Sequence, residues 1–187
     1  MIDISPACRR TAGIVAAVPD DLLDAPTPCA DMRLRDLLAH VGMLAQAFTA
    51  AAQKNLGEWT DSPPGPTPLD PDWRSAYPQH LAELAAAWQD ADAWTGMTRA
   101  GGVDLPGEVA GGVALAEVVI HGWDVAVASG QPYDVDPATA QACLEHLQQF
   151  DAAGTEGLFG PAVPVPDDAP VLDRIIGRSG RDPSWRG

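Results

Sequence analysis

The chain is poor in positive charge. Of its 187 residues only 11 are lysine or arginine, against 26 aspartates and glutamates, and the formal net charge is −15. Lys54 is the one lysine. This balance repels phosphate backbones and anionic headgroups, and no basic cluster interrupts it, so neither nucleic acid nor a membrane surface is expected as a partner. Cysteine is scarce too. Cys8, Cys29 and Cys143 are odd in number and widely spaced, which excludes a disulfide framework and a Cys-x-x-Cys zinc site and leaves three reduced, structural thiols. Apolar runs are shorter than a membrane span and are broken by Glu, His or Asp. The start Met-Ile-Asp-Ile-Ser-Pro lacks the basic residues and apolar core of a signal peptide. A cytoplasmic protein is expected.

Strand signals are also few. The alanine-rich stretch from Ser5 to Leu23 reads as a first helix with Pro6 in its first turn. Leu34, Leu37, Leu38, Val41, Leu44, Ala45 and Phe48 recur at helical spacing and define a second, with Asp31 as its expected N-cap and Gly57 as its stop. Five prolines between Trp59 and Pro71 mark an extended connection. A third helix follows from Asp72 to about Trp94, which Pro78 should begin or kink. The glycine-rich stretch from Gly96 to Gly112 reads as a loop with at most a short strand around Val103 to Leu105, and a fourth helix follows it. Pro137 to Phe150 makes a fifth with Asp136 as N-cap, ahead of a Pro/Gly-rich tail holding a short helical turn near Val171 to Ile176. With 46% hydrophobic residues a chain of this length can bury one core, so the expectation is a single domain over residues 1–187: an all-α four-helix bundle with an additional C-terminal helix.

The fourth helix carries the chemistry. From Val113 to Ala128 the only ionisable side chains are Glu117, His121 and Asp124, in a segment otherwise apolar nearly all the way round. Such a helix is buried. Spacings of four and three stack the three groups on one face, where a carboxylate is costly unless a cation or hydrogen-bond donors satisfy it. Glu-x-x-x-His supplies one oxygen and one nitrogen to a metal ion, and His40, on the flank of the second helix's apolar stripe, is the candidate third ligand. His40, Glu117 and His121 then form a two-histidine, one-carboxylate site with open positions. Without a metal, His40 would be a satisfied histidine at the core edge, Glu117 would pair with Arg9, Arg10 or Arg33, and His121 would bond a backbone carbonyl. Asp124 is placed to accept from an imidazole N–H or, more ordinarily, to bond an arginine or a backbone N–H. His80 and His146, among polar neighbours, are read as surface residues, and Trp88 and Trp123 as core. Cys29 has no basic neighbour in sequence and is left out of the site.

Three separated motifs carry a resemblance. Thr27-Pro-Cys29 with Arg35-Asp-Leu-Leu-Ala-His-Val41, then Glu117-Val-Val-Ile-His-Gly-Trp-Asp-Val-Ala126 with Ala128-Ser-Gly-Gln131, then Leu158-Phe-Gly-Pro-Ala-Val-Pro-Val-Pro166 with Gly177-Arg-Ser-Gly-Arg-Asp-Pro-Ser-Trp185, are similar to the DinB-like metal-binding superfamily. The branch is that of the N-terminal domain of mycothiol-dependent maleylpyruvate isomerase. The resemblance implies a DinB-like four-helix bundle whose divalent metal is held at the positions of His40, Glu117 and His121. It also implies chemistry with a small thiol such as mycothiol. Two features depart from the pattern: Ala30-Asp-Met32 stands where relatives often have Gly-Trp, and the isomerase's C-terminal domain has no counterpart in this sequence, which argues against maleylpyruvate isomerisation itself.

Three functions follow as expectations. The first is a metal- and thiol-dependent transferase or isomerase acting on a small electrophilic substrate, its ion (zinc or nickel first) binding a thiolate of mycothiol or another small thiol. The second is a metal-dependent hydrolase in which Asp124 or another carboxylate takes the proton of a water. The third is a non-catalytic metal- or ligand-binding bundle. No general acid or base is assigned, a monomer or homodimer is expected, and metal affinity should fall below the histidine range of about pH 6 to 7.

Overall fold

The computed structural model describes residues 1–29, 31–63, 65–154 and 160–187, so Ala30 and the Leu158-Phe159 pair quoted above lie outside the described residues. Six helices and one small hairpin make up the described chain. Helix α1 spans Ser5–Ala16 and is shorter than its alanine content implies. Pro19 cannot donate to a helical bond, and Asp20–Leu22 forms a separate 3₁₀ turn beyond it. Helix α2 spans Leu34–Ala52. Its start is not capped by Asp31; the Asp36 carboxylate reaches back to accept from the Arg33 backbone N–H at 3.1 Å. Nor does it run to Gly57, because Lys54 takes a left-handed φ of 55° and turns the chain away first.

Helix α3, Trp73–Ala87, contains Pro78 and ends before a 3₁₀ turn at Ala91–Trp94. Strands β1 (Met97–Ala100) and β2 (Val103–Pro106) then pair antiparallel around Gly101 and Gly102. Both glycines have positive φ, 58° and 82°, as the tight two-residue hairpin turn requires. Helix α4, Gly107–Ala128, follows β2 without a linker, so it includes Gly111 and Gly112, which their composition would assign to the loop. Gly112 has a packing reason to be there. A Cβ on it would lie 2.2 Å from Nδ1 of His146. That contact also corrects the placement of His146, which is buried at 6% exposure against α4 rather than on the surface; His80 is half-buried. Helix α5 (Pro137–Leu147) starts from Asp136, whose side chain accepts from the Thr139 N–H at 3.1 Å. The C-terminal helical turn is a full helix, α6, Val171–Arg178.

Helices α1 to α4 form the bundle: α1 packs on α3 and α4, and α2 on α3 and α4. Helix α5 covers another side of α4, and α6 packs on α5. The core between them includes Leu37, Leu38, Leu81, Leu84, Trp88, Leu115 and Val119, all nearly inaccessible. With 22 residues α4 is long and apolar enough to cross a membrane by length and composition, longer than the sequence runs implied. The bundle buries 89% of that apolar stretch, which accounts for its composition as that of a central core helix. Trp123 is buried too, as expected of a core side chain.

Close approach of α2 to α3 depends on Gly42. A Cβ there would fall 2.4 Å from ring carbons of Tyr77, whose hydroxyl accepts the Asp70 N–H at 3.0 Å and so ties the ring in place. Gly42→Ala is expected to destabilise the fold by about 1–3 kcal/mol through overpacking. Urea unfolding should show a lower midpoint with an unchanged slope, and an unaltered midpoint would mean that the two helices have slack at this point.

Candidate metal centre

The core helix places its three polar side chains by helical geometry alone. Glu117 and His121 are one turn apart, and Nε2 of His121 lies 3.0 Å from Oε2 of Glu117. Asp124, three residues further on, has its Oδ2 3.0 Å from the other ring nitrogen, Nδ1. The imidazole is therefore held between two carboxylates from its own helix. His40 arrives from α2, its ring perpendicular to that of His121 with centroids 4.9 Å apart. One donor atom from each of His40, Glu117 and His121 lies within 4.8 Å of the others. The three residues picked out from the sequence are thus brought together. Of the metal-free pairings weighed above, three differ in the structure: His121 bonds carboxylates rather than a carbonyl, Arg10 pairs with Asp134, and Arg33 reaches the Asp24 carbonyl.

A fifth residue completes the cluster. Arg181, in the turn after α6, places Nη2 3.1 Å from Oδ2 of Asp124 and Nε 3.4 Å from its Oδ1. Asp124 has no solvent exposure at all and the Arg181 side chain only 12%. Of the partners the sequence offers Asp124, an imidazole, an arginine or a backbone N–H, it meets the first two. Arg181 is not singled out by the sequence; it stands inside the Gly177 to Trp185 motif, but nothing local ties it to Asp124.

Electrostatics follow from burial and pairing. Burial alone would push the His121 pKa down, but its hydrogen bonds to Asp124 and Glu117 outweigh this and lift it to about 9. For Glu117 burial acts upward, and the bond to His121 brings it below the usual carboxylate range. His40 goes the other way, to about 4, first through burial and then through the positive charge of His121. Arg181 stays firmly protonated, since Asp124 overcomes the effect of burial. At neutral pH the cluster alternates in sign along Glu117, His121, Asp124 and Arg181, with His40 neutral beside it.

The donor set fits a borderline divalent ion: two imidazoles and one carboxylate, with a second carboxylate on the far nitrogen of one imidazole. Ligand bonds of about 2.0–2.2 Å put neighbouring donors roughly 3 Å apart, the separation already present between Glu117 and His121. The widest spacing in the trio, 4.8 Å at most, calls for small side-chain rotations to close on one ion. Glu117 and His121 are nearly buried, their side chains 12% and 8% exposed. A small apolar crevice with room for about one water, lined by Val41, Leu44, Phe48, Leu84 and Val118, reaches Glu117.

The thiols divide as expected for two of the three. Cys8 and Cys143 are buried and pushed up to about 12, which makes them inert at neutral pH. Cys29 does have a basic neighbour, Arg181, which sequence distance concealed; burial nevertheless dominates and raises its pKa.

Residues 4–126 match the mycothiol maleylpyruvate isomerase N-terminal domain, a span that includes His40, Glu117, His121 and Asp124. Uncharacterized proteins from two strains of Mycobacterium tuberculosis are each 33% identical over 162 residues, covering 85% of this chain and 81% of the relative. No solved structure matches the chain. The helical bundle and the match over most of it lead to one conclusion: the chain belongs to the family of the mycothiol maleylpyruvate isomerase N-terminal domain, whose fold is DinB-like and all-α.

Proposed function

We propose that the protein binds one divalent ion, zinc or nickel, through His40, Glu117 and His121, and uses it with a small thiol of the mycothiol class as a transferase or isomerase acting on a small electrophile. The observation that carries this reading is the convergence of three donors from two helices, with Asp124 behind the central imidazole. Asp124 accepts from Nδ1 and so directs the Nε2 lone pair toward Glu117 and His40 once the Nε2 proton has left. A bound ion would supply thiol acidification at neutral pH and polarisation of a substrate carbonyl. The chain's own residues do the rest: α2 and α4 hold the ligands at fixed spacing, and the burial of Glu117 and His121 keeps bulk water from them. Family membership supports the thiol. We place the protein in the cytoplasm, as a monomer or homodimer, without nucleic acid or membrane as a partner.

Protein purified without a nickel column should contain about one divalent ion per chain by elemental analysis. Alanine at His40, Glu117 or His121 should each abolish it, and full occupancy in Glu117→Ala would remove Glu117 from the ligand set.

The pH window is higher than free histidine would give. Because His121 carries a proton up to about pH 9, an ion must displace that proton across the neutral range. Affinity should therefore rise by up to about tenfold per pH unit from pH 6 to 9 and level off above it. Calorimetry at pH 7 in buffers of different ionisation enthalpy should detect about one proton released per ion bound. Absence of release would mean that His121 is not a ligand.

Loaded protein should accelerate the reaction of a small thiol with an electrophilic acceptor relative to the metal-free protein, across a panel that includes mycothiol. Ester or amide turnover without thiol would replace this reading with the hydrolase. If no thiol in the panel gains rate and none perturbs the spectrum of cobalt-substituted protein, the centre is a binding or structural one.

A further inference from the structure

We propose that Arg181 is a positioning residue of the metal centre, acting through Asp124, so that the site is completed by the C-terminal segment outside the family-matched region. The inference rests on the metal reading above and extends it to a residue beyond 126. Asp124 is fully buried, and its Oδ2 is shared between Nδ1 of His121 at 3.0 Å and Nη2 of Arg181 at 3.1 Å. Its Oδ1 faces Nε of the same guanidinium at 3.4 Å. Two sides of one fork thus set the plane of the carboxylate, and that plane sets where Nδ1 of His121 is received.

The guanidinium is itself fixed. Nη1 donates to the Ser179 carbonyl at 3.0 Å, and Ser179 is buried with its hydroxyl donating to the Ile176 carbonyl at 2.8 Å. Gly180, at a φ of 83°, reverses the chain so that the next residue points back at α4. The backbone N–H of Arg181 returns to the Ile176 carbonyl at 3.1 Å. This is a built turn whose product is one placed cation. Lysine carries the charge but not the fork, so it cannot serve both carboxylate oxygens in this geometry. Without Arg181, Asp124 is a buried carboxylate whose one remaining side-chain partner among the described residues is the imidazole, and the fork that holds it in the plane directing Nε2 toward Glu117 and His40 is lost.

The test is the binding of zinc, by competition with a chromophoric chelator, and the visible spectrum of the cobalt-loaded protein. It compares wild type, Arg181→Ala, Arg181→Lys, Asp124→Asn and the Arg181→Ala/Asp124→Asn double variant, with circular dichroism on each. Loss of the fork should weaken zinc binding about 10- to 100-fold and shift the cobalt spectrum in both Arg181 variants. Guanidinium ion at low, non-denaturing concentration should partly restore Arg181→Ala. The double variant should bind no more weakly than Asp124→Asn alone, because both substitutions interrupt one path. If Arg181→Ala fails to fold, Arg181→Lys carries the comparison. Wild-type affinity and spectrum in a folded Arg181 variant would overturn the proposal while leaving the metal site standing, and a double variant showing the product of the two single losses would also overturn it. A wild-type protein that binds neither zinc nor cobalt would overturn the metal reading, and this inference with it.

Discussion

The interaction on which the rest of this structure depends is the series of alternating charges carried on and against α4. Glu117, His121 and Asp124 sit in the most buried helix of the bundle, where an unpaired ion would cost several kcal/mol. They are tolerated because each is within about 3 Å of a group of opposite sign, and because the series ends on Arg181 rather than on a bare carboxylate. A Glu-x-x-x-His-x-x-Asp spacing lets one helix place an imidazole between two carboxylates with no help from its neighbours. Only His40 and Arg181, which arrive from outside α4, need tertiary structure.

That division explains the roles of the surrounding elements. Helix α2 must approach α4 closely enough to bring His40 to the ring of His121, and it does so on a stripe of leucines while Gly42 lets it settle against Tyr77. On another side Gly112 lets His146 of α5 reach the backbone of α4, and α6 in turn rests on α5. Small residues at the crossings and large ones between them are how a bundle fixes helix spacing, and here the spacing decides which donors converge.

Much of this was legible in the sequence, for identifiable reasons. The apolar composition of α4 made it the core helix, and its three polar residues at spacings of four and three could face only one way. His40 could be named because the leucine period of α2 fixed which residues flank the buried stripe. Element ends were less legible. Asp31 looked like a cap, but Asp36 supplies the reciprocal bond; Gly111 and Gly112 looked like loop, but in a helix they mark sites where side chains of neighbouring elements press on the backbone. His146 was misplaced because polar sequence neighbours say nothing of a glycine on another helix. Arg181 and its nearness to Cys29 were invisible for the same reason: the contact spans 57 residues, and no local pattern encodes it.

This last separation bears on the order in which the molecule can assemble. The four-helix bundle is built from contacts among residues up to 128, whereas the counter-ion of its most buried carboxylate is translated more than fifty residues later. During synthesis, α4 therefore exists before the charge that neutralises Asp124, and closing that long loop carries an entropic cost that only the docked C-terminal segment repays. Tight packing around Asp124 is in this sense a late event, and the turn after α6 acts as the bolt that seats the central helix.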